Sequence, residues 1–236
     1  MRPKSLAQVL TSVRLLAGVA LLFSLSSCAT KPLPLEPLAA SQRFAKEINS
    51  FTSADATNPP PRNPILFIGS SSIRLWKTLA SDFPNHRVIN RGFGGSQIFD
   101  SLNYVDRIVL PYRPRQIIMY AGANDINAGK TPEHVFEDYK AFVARVHARL
   151  PRTPIAFISI SPNPARWAQI AQVREANRLI EDYTRQHAQL TFINAFPLML
   201  GPDDQPRPDI FIADRLHMNE RGYELWKTVV GPVLLP

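Results

Sequence analysis

Five short apolar runs alternate with helix-like stretches along most of the chain, and this alternation constrains the fold more than any other feature of the sequence. The apolar runs cover residues 65–69, 87–90, 116–120, 155–160 and 190–194. The helix-like stretches lie near residues 72–81, 96–109, 132–150, 166–187 and 219–229. Fully apolar strands joined by helices indicate a parallel sheet with both faces covered. We therefore predict an α/β fold, a single three-layer α/β/α domain with a five-stranded, mainly parallel sheet.

The N-terminal segment has a different character. Three basic residues, Arg2, Lys4 and Arg14, come before an apolar stretch at 15–25 that is too short to cross a bilayer as a mature helix. Its length is that of a signal-peptide core, and it ends in Leu-Ser-Ser-Cys, which resembles a bacterial lipobox. We expect lipidation of Cys28, the only cysteine, which would become the first residue of the mature chain. An ordinary signal peptide and a retained anchor helix are the alternatives.

This interpretation divides the chain into four segments. We expect a lipoprotein signal peptide at 1–27, a proline-rich tether at 28–40, an N-terminal helix with a linker that packs on the domain at 41–64, and the main domain at 65–236. Alanine rather than aspartate follows Cys28, which resembles the pattern of outer-membrane sorting. The predicted location is therefore the bacterial cell envelope, with a lipid anchor in the outer membrane that faces the periplasm.

Charge and composition limit the partners. The formal net charge is +8, but no run of Lys and Arg and no basic–aromatic interleaving marks a nucleic-acid surface, so we expect no nucleic-acid partner. The basic excess is compatible with weak attraction to anionic membranes or acidic polysaccharides. No Cys/His or carboxylate cluster has the spacing of metal ligands, and we predict neither a metal nor another cofactor. No feature of the sequence indicates an oligomeric state.

Polar, glycine-bearing segments follow the first three predicted strands, and a fourth polar segment precedes the last helix. They are Gly-Ser-Ser-Ser at 69–72, Arg-Gly-Phe-Gly-Gly-Ser at 91–96, Ala-Gly-Ala-Asn-Asp-Ile at 121–126 and Asp-Arg-Leu-His at 214–217. Parallel strands bring such segments to one edge of the sheet. Together they offer a serine hydroxyl, exposed glycine N–H groups, a side-chain amide and a carboxylate that can orient an imidazole. Local chemistry alone does not distinguish Ser71 from Ser72 as a nucleophile.

The order Ser, Gly, Asn, Asp-x-x-His resembles the SGNH hydrolases, also called the GDSL esterase/lipase family, over about residues 65–230. The first family block reads Gly-Asp-Ser, often with a Trp further on. Matching Gly69 and Trp76 to that spacing makes Ser71 the nucleophile. Ser70 then replaces the usual aspartate, and Ser72 is expected to be the first residue of the following helix. The resemblance implies a flavodoxin-like SGNH hydrolase fold.

The other blocks imply the remaining roles. Gly95 and Asn124 match the residues that bind the oxyanion together with the N–H of Ser71, while Asp214 and His217 match the acid and base of the triad. The implied reaction is acyl transfer to water through an acyl-enzyme on Ser71.

Further residues are candidates for substrate binding. Asn163, Arg166 and Trp167 lie in the segment after the fourth strand and could line the pocket. The alternative is a proline-stiffened loop with a tryptophan lid on the core. Arg74 and Arg91 flank the site in sequence and could attract acidic substrates.

The sequence therefore predicts a serine esterase of the cell envelope. We expect its substrates to be small-molecule, glycan or lipid esters with short acyl or O-acetyl groups. A lysophospholipase or thioesterase of the same fold is one alternative. A non-catalytic lipoprotein that binds glycan or protein is the other.

Overall fold

The computed structural model describes residues 42–236. The predicted signal peptide at 1–27, the tether at 28–40 and the lipidation site Cys28 lie outside the described residues and stay predictions. The four-segment division is likewise a prediction.

Five parallel strands form one sheet in the order β2-β1-β3-β4-β5. The strands are β1 (Ile65–Gly69), β2 (Val88–Gly92), β3 (Gln116–Tyr120), β4 (Ile155–Ile158) and β5 (Leu190–Ile193). All five strands lie at or within two residues of the predicted runs. Because β2 lies on one side of β1 and β3 on the other, the strand order reverses between β1 and β3. Ligands of such sheets bind beyond the carboxyl ends of the strands at this point.

The strand residues alternate between two cores. Leu66 and Ile68 of β1 face one core, while Ile65 and Phe67 face the other. The same alternation continues along β3 and β4, because successive side chains of a strand point to opposite faces. Helices cover both faces, so the predicted three-layer α/β/α architecture is confirmed.

Nine α-helices connect the strands within residues 42–236. They are α1 (Ala45–Thr57), α2 (Ser71–Arg74), α3 (Leu79–Asp82), α4 (Ile98–Asn103), α5 (Val105–Ile108), α6 (Ala123–Asn127), α7 (Pro132–His147), α8 (Ile170–Arg185) and α9 (Glu220–Val230). The predicted helix at 72–81 is wrong in extent, because the chain turns between α2 and α3. There Trp76 is buried against Phe67 and Phe83, and a straight helix would not place it in that cluster.

Helix α1 is fixed to the domain at both ends. Phe44, which precedes it, and Ile48 are buried in the core. Near its C-terminus, Asp55 pairs with Arg91 at 2.5 Å and accepts a hydrogen bond from the Tyr112 hydroxyl. The N-cap is Phe44, and it makes no side-chain capping bond.

Two helices begin at residues whose side chains cap them. The hydroxyl of Thr131 accepts a hydrogen bond from the N–H of His134 at the start of α7, and the Asn219 side chain accepts one from Gly222 at the start of α9. Within the described part of the chain, no helix is both long and apolar enough to span a bilayer.

Candidate active site

The serine triplet follows Gly69, the last residue of β1, which pairs with Tyr120 of the neighbouring strand β3. Gly69 has a φ of +133°, and a Cβ at this position would lie 1.9 Å from the carbonyl oxygen of Tyr120, so only glycine fits. Ser70 follows in extended conformation, donates its N–H to the same carbonyl at 2.9 Å and is the N-cap of α2. The helix therefore begins at Ser71 and not at Ser72 as predicted, because the Ser70 carbonyl already accepts the first helical bonds from Ile73 and Arg74.

The Asp-Arg-Leu-His segment forms a tight loop. An isolated antiparallel bridge joins Phe211 to Met218, and the N–H of Ile212 donates to the carbonyl of His217 at 2.9 Å. Inside this loop, Oδ1 of Asp214 accepts the N–H groups of Leu216 and His217, each at 2.9 Å. The carboxylate of Asp214 is thus held by the backbone of its own loop.

A continuous chain of hydrogen bonds joins this loop to the serine. His217 Nδ1 lies 2.6 Å from Asp214 Oδ2, and His217 Nε2 lies 2.9 Å from Ser71 Oγ. A carboxylate only accepts, so Nδ1 carries the proton and Nε2 of the neutral ring accepts from the hydroxyl. This is the arrangement in which a serine loses its proton to histidine as it attacks a carbonyl.

The protonation state of Asp214 suits that role. Burial alone would raise the pKa of this carboxyl, but hydrogen bonds from the His217 ring and from the backbone N–H groups of His217 and Leu216 outweigh it and lower the pKa to about 2. The carboxylate is therefore ionised at neutral pH, where it can stabilise an imidazolium.

Asn124 occupies the second position of α6, beside the Ser71 end of the sheet. Its Nδ2 donates to the carbonyl of Ser96 at 3.0 Å, and its Oδ1 accepts from Arg166 Nη1 at 3.0 Å. Arg166 also donates to the carbonyl of Ala123 at 3.1 Å. The amide orientation is thus fixed from two sides, and its second N–H has no acceptor among residues 42–236.

Two backbone donors are also available. The N–H of Ser71 is at the first position of α2, where no intrahelical acceptor exists. The N–H of Gly95 donates no hydrogen bond to any residue from 42 to 236. Gly95 has a φ of +79°, and its neighbour Ser96 accepts from Asn124, which places the glycine loop against the amide. Gly95 is not among the residues that line the cleft described below, and its role stays a prediction.

Asp125 is buried next to Asn124. Both carboxylate oxygens accept the N–H of Ile98 at the start of α4, at 3.2 and 3.3 Å, and Lys130 Nζ lies 3.6 Å away. Burial raises the pKa of Asp125 to about 7, although the Lys130 charge and the Ile98 hydrogen bond act in the opposite direction. Asp125 therefore ties the helix after the glycine loop to the loop of Asn124.

A cleft of about 390 Å³ opens above Ser71 and His217. Its walls combine the predicted residues Ser71, Asn124, Asn163, Arg166 and His217 with residues that the sequence analysis did not predict, namely Tyr120, Ser161, Met199, Phe211, Leu216, Met218 and Trp226. Three of these had a signal in the sequence, because Tyr120 ends β3, Leu216 lies in the Asp-Arg-Leu-His segment and Ser161 follows the fourth predicted strand. The others come together through chain packing.

The predicted substrate-binding residues line two different cavities. Asn163 and Arg166 line the cleft, while Trp167 lines a neighbouring cavity of about 240 Å³. Asn163 also caps the short helix Pro164–Gln169 by accepting the N–H of Arg166. Arg91 is buried in its pair with Asp55, so the expectation that it attracts substrates is wrong.

No group of three or more His, Cys, Asp or Glu residues with the geometry of a metal site occurs among residues 42–236.

Comparisons with known proteins concern the family and the fold of this chain. The model of the GDSL-like Lipase/Acylhydrolase family matches residues 69–225. No curated protein matches significantly. A structure from Streptococcus pneumonia, whose description refers to a platelet activating factor, is 21% identical with a TM-score of 0.72, over 82% of this chain and 94% of that chain.

Two further structures share the fold. A GDSL-like lipase from Bacteroides thetaiotaomicron is 17% identical with a TM-score of 0.67, over 79% of this chain and 96% of its own. A carbohydrate esterase family 3 protein from Talaromyces cellulolyticus is 18% identical with a TM-score of 0.59, over 72% and 94%.

Proposed function

The chain belongs to the GDSL-like lipase/acylhydrolase family, and we propose that it is a serine esterase that hydrolyses short acyl or O-acetyl esters through an acyl-enzyme on Ser71. The observation that carries the proposal is the hydrogen-bonded chain from Ser71 Oγ through the His217 ring to Asp214. The family membership supplies the reaction class, and this geometry supplies a nucleophile and a base.

In the first half of the proposed reaction, Ser71 Oγ attacks the ester carbonyl while His217 Nε2 takes its proton. The tetrahedral oxyanion accepts hydrogen bonds from the N–H of Ser71, the N–H of Gly95 and the amide of Asn124. His217 then returns the proton to the departing alkoxide, so that an alcohol leaves and the acyl group stays on Ser71. Asp214 stabilises the imidazolium that forms in between.

In the second half, water replaces the alcohol. His217 takes a proton from the water as its oxygen attacks the acyl-enzyme, and it returns that proton to Ser71 Oγ when the tetrahedral intermediate collapses. The products are a carboxylic acid and the free enzyme. Every proton in this cycle passes through Nε2 of His217.

The size of the cleft favours a small acyl group. The enclosed space is small, and Met199, Phe211 and Trp226 contribute apolar wall to it. The carbohydrate esterase among the related folds is consistent with O-acetyl sugars as substrates, although the likeness to that structure concerns the fold.

Hydrolysis of a series of 4-nitrophenyl esters tests the proposal. We expect the purified full-length chain in detergent to cleave the acetate and butyrate faster than the decanoate. Ser71→Ala and His217→Ala should each lose at least about 10³-fold in kcat, because neither retains a nucleophile–base pair. Ser72→Ala is the matched control and should keep most of the activity.

Three outcomes would change the proposal. Equal rates for the wild type and both variants would refute catalysis and favour a binding lipoprotein. A preference for decanoate would favour a lysophospholipase or thioesterase. Loss of activity in Ser72→Ala but not in Ser71→Ala would show that the nucleophile is one residue further along.

We also propose that the enzyme is anchored in the bacterial envelope through a lipid on Cys28. Support comes from the basic start, the short apolar core and the Leu-Ser-Ser-Cys sequence. Mass spectrometry of the mature protein from a membrane fraction should find an N-terminal, lipid-modified Cys28. An unmodified Cys28, or a chain that begins at another residue, would refute the anchor.

A further inference from the structure

Three arginines lie beside the segments that are predicted to bind the oxyanion, two of them at the glycine loop and one at Asn124. A methyl group on Gly94 would lie 2.7 Å from Arg74 Nε, and one on Gly95 would lie 3.6 Å from Arg43 Nη2. Arg166 lies on the Asn124 side and lines the cleft itself. Positively charged side chains therefore lie beside the glycine loop and in the wall of the cleft.

Some arginines of the described surface form ion pairs, whereas the three near the site form none. Arg178, Arg185 and Arg207 form ion pairs with nearby carboxylates. No ion pair with any residue between 42 and 236 is formed by Arg43, Arg74 or Arg166. Arg43 stacks on the Phe44 ring at 4.9 Å, and this contact supplies no counter-charge.

Arg166 is the most informative of the three. It is half-buried, and its only side-chain hydrogen bonds within the described residues go from Nη1 to the neutral oxygens of Ala123 and Asn124. Burial lowers the pKa of this guanidinium, as expected where a cation lacks a counter-ion. An uncompensated, half-buried cation costs stability, and the cost is offset when an anionic ligand supplies the missing charge.

We propose that this site prefers esters whose alcohol part carries an anionic group, either a carboxylate or a phosphate monoester, bound by Arg43, Arg74 and Arg166. This inference rests on the proposed esterase function and names its substrate class. The anion is assigned to the alcohol part because Arg43 and Arg74 are exposed, whereas the small, partly apolar cleft is left for the acyl group. The chemical steps are unchanged, and the arginines act through binding and positioning.

The expected effect is moderate and depends on salt. Exposed charge pairs are individually weak, and added salt screens them. Three arginines that converge on one anion should together give a preference of at least about fivefold at low ionic strength, which declines at high ionic strength.

A matched pair of acetates tests the inference. 4-Acetoxybenzoate carries a carboxylate on its alcohol part, and methyl 4-acetoxybenzoate is its neutral counterpart. The kcat/KM of the carboxylate-bearing ester is divided by that of the neutral ester, and the result is divided by the corresponding ratio of their hydrolysis rates with hydroxide. This corrected ratio measures recognition by the enzyme. We expect a corrected ratio of at least about five for the full-length protein in detergent at low salt. 4-Acetoxyphenyl phosphate provides a second arm that distinguishes a phosphate-bearing from a carboxylate-bearing alcohol.

The variants connect the preference to the arginines. The double substitution Arg43→Gln with Arg74→Gln should lower the corrected ratio at least about threefold. Arg149→Gln is the matched control, because Arg149 is also an exposed arginine. It lies between α7 and the start of β4, and therefore at the amino-terminal end of the strands, away from the site. This substitution should leave the ratio unchanged.

The outcomes separate the two proposals. A ratio near one for both anionic esters, with normal cleavage of the neutral ester, would overturn this inference and leave the esterase function standing. A high ratio that the double substitution does not lower would also overturn it. Failure to cleave any of the acetates would overturn the esterase function and this inference together.

Discussion

The loop that holds Asp214 and the loop that holds Asp125 lie on two sides of the same site and are stabilised in different ways. The side chain of Asp214 is 43% exposed, and its hydrogen-bond partners lie within three residues of it. The side chain of Asp125 is fully buried, and its backbone partner, Ile98, is 27 residues away in sequence. The pKa of the first carboxyl falls to about 2, and that of the second rises to about 7.

This difference shows that the two halves of the site are assembled by different physical means. On the base side, a short loop closes on itself and presents Asp214 and His217 together. On the oxyanion side, long-range contacts hold Asn124 against Ser96 and Arg166, with Asp125 buried behind it. A change on the base side should therefore affect chemistry more than stability, whereas a change on the oxyanion side should affect both.

The largest effect should follow from Asp214→Asn. The amide keeps the shape of the side chain but loses the charge that stabilises the imidazolium, and it can favour the wrong tautomer of His217. We expect kcat/KM for 4-nitrophenyl acetate to fall roughly 10³-fold. The urea midpoint at neutral pH should fall only slightly, because the lowered pKa of Asp214 reflects stabilising hydrogen bonds at an exposed position. Asp209→Asn, at a nearby exposed aspartate paired with Arg207, is the control and should stay within twofold. A loss of less than tenfold in Asp214→Asn would contradict the assigned role.

The oxyanion side is tested by Asn124→Ala. Removal of one amide donor should lower kcat roughly 10²- to 10³-fold with little change in KM, because the donor acts mainly on the transition state. The exposed Asn127 lies on the same helix, and Asn127→Ala is the matched control. If Asn124→Ala instead raised KM and left kcat intact, Asn124 would be a ground-state binding residue.

The contrast between the two aspartates predicts a pH dependence of stability. The folded-state pKa of Asp125 is raised, so its proton stabilises the fold below the unfolded pKa, and this contribution is lost as pH rises through about 7. Between pH 5 and pH 8, the free energy of unfolding of the wild type should fall by about 2–3 kcal/mol more than that of Asp125→Asn. Urea unfolding at both pH values measures this difference, and parallel changes in the two proteins would contradict the assigned protonation of Asp125.

The same contrast explains how much of the molecule could be predicted from sequence. The sheet was predictable because β1, β3 and β4 are nearly continuous apolar runs. Asp214 and His217 were predictable because their geometry is local and their spacing fits a family motif. The assignment of Ser71 rather than Ser72 required the spacing of Gly69 and Trp76.

What could not be predicted depends on contacts between distant residues. The bond from Arg166 to Asn124 spans 42 residues, and no local pattern indicates it. The sequence places Arg91 at the start of the glycine loop and indicated a contact with substrates, but Asp55 of α1 pairs with Arg91 and buries it. The break between α2 and α3 likewise reflects the packing of Trp76 and not helix propensity.

Covalent labelling of the nucleophile tests the central claim most directly. A fluorophosphonate should react with the wild type, abolish its esterase activity and add one phosphonyl group to the tryptic peptide 63–74, with fragment ions that place it on Ser71. Ser71→Ala should stay unlabelled. A phosphonyl group on Ser72, or full activity after exposure to the reagent, would contradict the account.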